Sequence, residues 1–251
     1  MTVLKQLNKN IWQKTVELDG FEVCSILICD DDHAVIWDTL SHPHDMEEYG
    51  PIIQDKKLTI IYSHADWDHI WGTAGLRWQD AQIIGHAHCL DRFSRDVPET
   101  LQQMQKDESE KWMGVELIPP NQTFQDRLTL SFGSISIELY ALPGHTNDSI
   151  IAFLPGNGLL LMGDTVETPI PSIPSAEVLP DWIQALEKWE NDSRVNIVIP
   201  SHGDIGGKKI IHSNIQYLKA LQLGNQFDLP DDVSQFYRQT HEENLQKLKK
   251  E

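Results

Sequence analysis

The chain has 251 residues, 40% of them hydrophobic and 23% charged, with 8 Trp, 7 Phe and 5 Tyr to fill a core. Twenty Lys and Arg against 38 Asp and Glu leave a formal charge of -18, which argues against nucleic acid as a bulk partner and against an anionic membrane, though not against a small-molecule substrate. Cys24, Cys29 and Cys89 are odd in number and lack CxxC spacing, so neither a disulfide framework nor thiol ligation is expected.

In chain order, Ile11 to Leu18 alternates roughly between polar and apolar, Asp19-Gly20 signals a hairpin, and Phe21 to Cys29 is an apolar run rich in branched residues. Ala34 to Trp37 reads as a third strand, ending at Asp38-Thr39. Residues 44–56 have helical character, and Leu58 to Tyr62 is a short buried strand. Helix resumes near Ile70, and Ala81 to Gly85 is another strand. Residues 98–113, polar and helix-permissive, read as an insertion or a mobile lid. Leu128 to Phe132, Ile135 to Ala141, Ser149 to Leu154 and Leu159 to Met162 are strands, the last two joined by the turn Pro155-Gly156-Asn157-Gly158. Pro180 to Trp189 is a helix with proline near its start, Val195 to Ile199 a strand, and the chain from about Lys208 is helical.

Two strand-rich halves, each followed by helices, predict an α/β fold of four layers, an αββα sandwich with C-terminal helices. The chain is expected to be one domain over 1–251, with 206–251 a helical extension. The opening MTVLKQLNKNIWQK has no apolar run of leader length, and no stretch approaches the ~18–20 residues of a membrane span, so the expected setting is the cytoplasm.

Four short segments sit where a strand gives way to a loop: Ser63-His64-Ala65-Asp66-Trp67-Asp68-His69, Pro143-Gly144-His145-Thr146, Gly163-Asp164-Thr165 and Pro200-Ser201-His202-Gly203-Asp204. Loops held by a rigid scaffold are the usual platform for chemistry. In extended backbone His64, Asp66 and Asp68 project to one side at a period of two, and a turn at Asp68-His69 swings the next imidazole round. Imidazole nitrogen and carboxylate oxygen suit zinc, iron or manganese. His145, Asp164 and His202 supply further donors from distant parts of the chain.

The HxDxDH, GHT, GDT and SHG segments, in that order, resemble those of the metallo-β-lactamase fold superfamily from about residue 11 to residue 205. The resemblance implies a metal-dependent hydrolase with two divalent ions, zinc being the family's usual metal. The first ion would be held by His64, Asp66 and His145, the second by Asp68, His69 and His202, with Asp164 bridging. A hydroxide shared by the ions would cleave an ester-like bond in a phosphodiester, lactone or thioester. Asp68 and Asp164 are the carboxylates assigned to catalysis, and Asp38, Ser63 and Thr165 would orient ligands. The family's commoner pattern is HxHxDH, and Asp66 departs from it. A carboxylate there adds negative charge and hardens the first site toward iron or manganese. It is also found in diiron redox members of the fold, which makes a diiron redox protein the alternative reading; a metal-binding module without catalysis is the third. β-Lactam hydrolysis is disfavoured, since Asp164 stands where secreted lactamases often place Cys.

Outside this set, His42 and His44 read as a loop opening a helix, and His86 and His88 as exposed loop histidines. Trp67 and Trp71 are expected to wall the site. Glu167 is either an acid/base group or a solvated loop carboxylate. Specificity would come from loops near 40–56, 87–120 and 167–179.

Overall fold

The computed structural model describes residues 2–248, so residue 1 and the end of the expected extension, 249–251, lie outside the described residues. Strands β1 (Thr2–Asn8), β2 (Ile11–Glu17), β3 (Glu22–Cys29) and β4 (His33–Trp37) pair antiparallel in sequence order. Strands β5 (Lys57–Ile61), β6 (Gln82–His86) and β7 (Gln122–Phe124) then add in parallel, completing a seven-stranded sheet. The second sheet has five strands, β8 (Arg127–Phe132), β9 (Ile135–Ala141), β10 (Ile150–Leu154), β11 (Leu159–Gly163) and β12 (Ile197–Pro200). These pair antiparallel as far as β11, and β12 runs parallel to it.

Parallel neighbours need crossovers long enough to carry helices. A 3-10 turn at Pro43–Tyr49 and α1 (Gly50–Ile53) lead from β4 to β5. The short α2 (Trp67–Ile70) and two 3-10 turns lead on to β6, and α3 (Ala87–Arg92) with α4 (Asp96–Asp107) to β7. α5 (Leu179–Asn191) joins β11 to β12, and α6 (Lys209–Leu223) and α7 (Gln235–Lys247) follow.

Three apolar clusters fill the spaces between layers, which gives the αββα sandwich its physical basis. One lies between the sheets, where Ile26, Ile28 and Val35 meet Ile137, Leu139 and Ile150. A second packs Leu27, Ile36 and Ile60 against Tyr49, Trp71 and Leu101. A third packs Phe153, Leu160 and Val198 against Trp182, Leu186, Ile215 and Leu218, so the C-terminal helices share a core with the second sheet.

Several boundaries differ from the sequence reading. The segment expected as an insertion or mobile lid carries most of α4, where Val97 and Leu101, one turn apart, are buried, and an exposed loop anchored by Trp112, 2% exposed. β1 is a strand the sequence reading lacks. It is an edge strand with Val3 half exposed, paired with β2, and its Leu4 and Leu7 are only partly buried against the neighbouring clusters. Residues 87–92 are helical, and His86, expected to be exposed, is buried at that helix's N-terminus. Its Nδ1 accepts from the His88 amide (3.2 Å) and its Nε2 donates to the Gln125 carbonyl (2.8 Å).

The rims of the two sheets are stitched together by backbone hydrogen bonds from Ile150 N–H to Ser63 O (2.8 Å) and from Cys24 N–H to Ser201 O (2.8 Å). All four motif segments end at this rim.

Candidate metal centre

Each candidate donor leaves the end of a strand. His64 follows β5, His145 follows β9, Asp164 follows β11 and His202 follows β12; α2 turns Asp68 and His69 back toward them. Two glycines make the close approaches possible. A side chain at Gly144 would meet the Trp182 ring at 2.3 Å, and Gly163, at φ +54, lies against Ser63 with no room for one (2.9 Å). Gly144 and Gly163 thus let His145 and Asp164 come within reach of β5.

The four imidazoles share one design. His69 Nδ1 donates to Asp38 Oδ2 (2.9 Å), His145 Nδ1 to the Ser172 carbonyl (3.1 Å) and His202 Nδ1 to the Glu22 carbonyl (2.6 Å). Carbonyl and carboxylate partners only accept, so Nδ1 must carry the proton and Nε2 is turned to the shared centre. His64 Nδ1 meets Ser63 Oγ at 2.9 Å, which fixes the ring's direction but, since a hydroxyl both donates and accepts, not its tautomer.

The Nε2 atoms and three carboxylates then fall into two groups. His64 Nε2 and His145 Nε2 lie 3.4 and 3.3 Å from Asp66 Oδ2, and 3.7 and 3.6 Å from Asp164 Oδ2. His69 Nε2 and His202 Nε2 lie 3.6 Å from Asp68 Oδ1 and Oδ2 respectively. They lie 3.3 and 3.1 Å from Asp164 Oδ1 and Oδ2. A tetrahedral ion with bonds of about 2.0–2.2 Å separates its donors by about 3.3–3.6 Å. Among the described residues, His64 Nε2, His69 Nε2 and Asp164 Oδ1 are moreover buried without hydrogen-bond partners. Buried polar atoms are seldom left so, and three orphans meeting at one point fit a cation. His64, His69 and Asp164 are themselves one compact donor group, as are His64, Asp66 and His145, and Asp68, His69 and His202. The structure thus gathers all seven sequence-selected residues, with Asp164 at the junction of the two groups.

Without a cation, protons do its work. Burial disfavours charge on His145, but its hydrogen bond to Asp66 and the charge of Asp164 raise its pKa to about 9. Burial likewise disfavours charge on His202, and Asp164 outweighs it and raises the pKa to about 10. Burial also works against ionised Asp66 and Asp164, yet the surrounding imidazoles hold both well below the usual carboxylate range. The cluster opens on one side: Asp66 is 29% exposed, whereas Asp68, His69, Asp164 and His202 are buried.

Several groups around the cluster differ from the sequence reading. Thr165 makes no hydrogen bond to an imidazole among the described residues; its hydroxyl donates to the Met162 carbonyl (2.6 Å), and its own carbonyl accepts from Trp182 Nε1 (3.1 Å). Glu167 is no solvated carboxylate. It is 5% exposed and grouped with His145 and Asp164, and burial, aided by the Asp164 charge, pushes it up to about 7. His42 does open a helix, its Nδ1 accepting from the His44 amide (3.1 Å). Trp67 and Trp71, tilted against each other, each meet Trp112 edge to face and form a wall beside the motif.

Arg92, absent from the sequence reading, contacts Asp66 Oδ1 at 2.7 Å. It is separated from the motif by the whole of β6, and nothing local to it announces the contact. Also unforeseen is the role of α6 and α7. Asn214 accepts from the Glu167 amide (3.0 Å) and donates to its carbonyl (2.8 Å). Asn244 accepts from the Ile173 amide (3.0 Å) and donates to the Pro171 carbonyl (2.9 Å). Between them lies Ser172, whose carbonyl holds His145.

Over residues 18–202 the chain matches the sequence model of the metallo-beta-lactamase superfamily. It is 26% identical over 231 residues to a protein named metallo-beta-lactamase type 2 from Bacillus sp. (strain 170), covering 86% of this chain and 82% of that one. A protein of the same name from Bacteroides fragilis is 33% identical over 103 residues, covering 39% and 41%. Among solved structures, a metallo-beta-lactamase from Pontibacter korlensis superposes with a TM-score of 0.68 at 17% identity, covering 87% of this chain and 99% of its own. A metallo-beta-lactamase of Pseudomonas aeruginosa in a mono-zinc form gives 0.66 at 17% identity, covering 88% and 96%. These two likenesses bear on the fold.

Proposed function

Because the chain belongs to the metallo-beta-lactamase superfamily, we propose that it is a metal-dependent hydrolase that cleaves an ester-like bond in a small molecule at a two-metal site. The observation carrying this is the convergence of four Nδ1-anchored imidazoles and three carboxylates at tetrahedral donor spacings, with three orphaned atoms at their centre. His64, Asp66 and His145 would hold one divalent ion, Asp68, His69 and His202 the other, and Asp164 both. Such a pair supplies an acidified water and takes up negative charge as it builds on the substrate.

The chain's own residues do the rest. Asp38, Ser63 and the carbonyls of Ser172 and Glu22 keep each Nε2 free to bind and fix its direction, as partners of ligating imidazoles do. Asp68, beside His69 and His202, and Asp164 at the junction are the carboxylates placed to orient the attacking water. Substrate enters on the Asp66–His145 side, the open face of the cluster.

The test is a phosphodiester, lactone and thioester panel on metal-loaded protein, with a β-lactam added because relatives carry that name. Turnover on one class, lost in Asp68→Ala, is the expected result. A preparation inert to every class, or one whose activity survives Asp68→Ala, overturns the reading. Asp66 motivates the second reading, a diiron redox protein of the same fold. Zinc by elemental analysis, with no iron absorption after aerobic purification, removes it.

A further inference from the structure

Asp66 is the least ordinary member of the cluster, and its two oxygens have different jobs. Oδ2 faces His64 and His145 at 3.4 and 3.3 Å. Oδ1 faces outward and lies 2.7 Å from Nη2 of Arg92. The guanidinium, with 14% of the side chain exposed, does not serve Asp66 alone. Its Nη1 donates to Asp148 Oδ1 (3.1 Å) and its Nε to Asp96 Oδ2 (2.8 Å). Asp148 is fully buried, and its other oxygen accepts from the Ala65 amide (2.8 Å). Arg92 therefore grips the His64-Ala65-Asp66 loop twice, at the Asp66 carboxylate and, through Asp148, at the Ala65 backbone. A planar fork of fixed donors can hold several carboxylates in one geometry; a lysine, as a point charge, cannot.

We infer that Arg92 is a positioning residue for the first metal site. It restricts Asp66 to one ligating oxygen and draws off part of its charge, so that the carboxylate stands in for the imidazole of the commoner pattern. The inference rests on the two-metal reading above. It modifies one expectation from the sequence: the negative charge that should harden this site toward iron or manganese reaches it attenuated. A carboxylate freed from Arg92 could turn both oxygens inward, which suits the larger coordination shells of harder ions and disfavours four-coordinate zinc.

The experiment is a zinc titration of chelator-stripped protein against a chromogenic competitor. It compares wild type, Arg92→Gln, Arg92→Lys, Asp66→Asn and the Arg92→Gln/Asp66→Asn double variant, with a zinc–manganese competition on the first two. Wild type should take two zinc ions. Arg92→Gln should bind one of them ~10–100-fold more weakly, the usual effect of losing a ligand's hydrogen-bond partner. Arg92→Lys should fall between the two, and the manganese share should rise in Arg92→Gln. On the Asp66→Asn background the Arg92 change should cost little more. A residue acting only through the fold would weaken zinc equally on both backgrounds, and that outcome overturns the inference. Wild-type affinity in Arg92→Gln does so as well. Wild type that binds no zinc pair instead defeats the two-metal reading itself, and the inference with it. Should Arg92→Gln not fold, Arg92→Lys carries the same comparison: full zinc affinity there counts against the fork.

Discussion

The residue that does most without itself belonging to the donor cluster is Asp38. One oxygen accepts from His69 Nδ1 and the other from the Ser63 amide (2.7 Å), so a single carboxylate fixes an imidazole and the backbone that leads into His64. It does so at φ +58, a left-handed conformation that Asp and Asn tolerate better than other residues carrying a Cβ. Asp38→Ala should therefore weaken binding at the His69 group by ~10–100-fold. It should also cost about 1–3 kcal/mol of stability for the buried Ser63 amide left unpaired. Asp38→Asn keeps the backbone preference and one acceptor, so its loss should be smaller. Chelator competition and urea unfolding read the two effects separately. Wild-type metal affinity in Asp38→Ala would show that His69 is oriented without it.

At the scale of elements, the central strands were legible in the sequence because buried apolar runs such as Ile150–Leu154 state their own case, as does the alternation of Ile135–Ala141, which is predicted to the residue. β1 was not, since an edge strand is specified by its neighbour and not by its own pattern. The candidate cluster was legible for a related reason. His64, Asp66, Asp68 and His69 are close in sequence, and each of the other donors follows a visible strand. What holds the cluster was legible only in part: Asp38 and Ser63 were expected beside the imidazoles, and both lie there. The carbonyls of Glu22 and Ser172 have no residue identity to read, and Arg92 meets Asp66 only through the way α3 packs. The C-terminal helices are the largest such omission. α6 and α7 place Asn214 and Asn244 on either side of the 167–173 loop, and Asn244 also donates to the Tyr217 hydroxyl (3.0 Å). Asn244→Ala leaves the Ile173 amide and the Pro171 carbonyl buried and unpaired, a cost of about 1–3 kcal/mol for each such group. The expected result is lower stability together with faster amide exchange at Ile173. Destabilisation with unchanged exchange there would mean that α7 covers the loop without fixing it.

For the whole molecule, charge and stability meet at the cluster. Metal-free, His145 and His202 are held protonated by buried carboxylates, with pKa values raised from 6.5 to about 9 and about 10. A group whose folded pKa lies above its unfolded value adds stability that is complete below the unfolded value and is lost as pH climbs through the folded one. Here that window runs from about pH 6.5 to 10. Glu167, raised from 4.5 to about 7 by burial and by Asp164, has the same sign and loses its contribution at the lower end of the window. Ordinary surface carboxylates are already ionised there; the buried thiols of Cys24 and Cys29, pushed up to about 12 and about 11 by burial, add a loss of the same sign above about pH 8.5, so the cluster should set the trend in the lower half of the range. Metal-free protein should unfold at steadily lower temperature as pH rises across this range. Divalent ions displace those protons, so their apparent affinity should climb over the same interval. The gap in unfolding temperature between metal-loaded and chelator-treated protein should accordingly widen with pH. Thermal melts of both forms at constant ionic strength measure it, and a metal-free midpoint that holds level or rises from pH 6.5 to 10 would refute the argument.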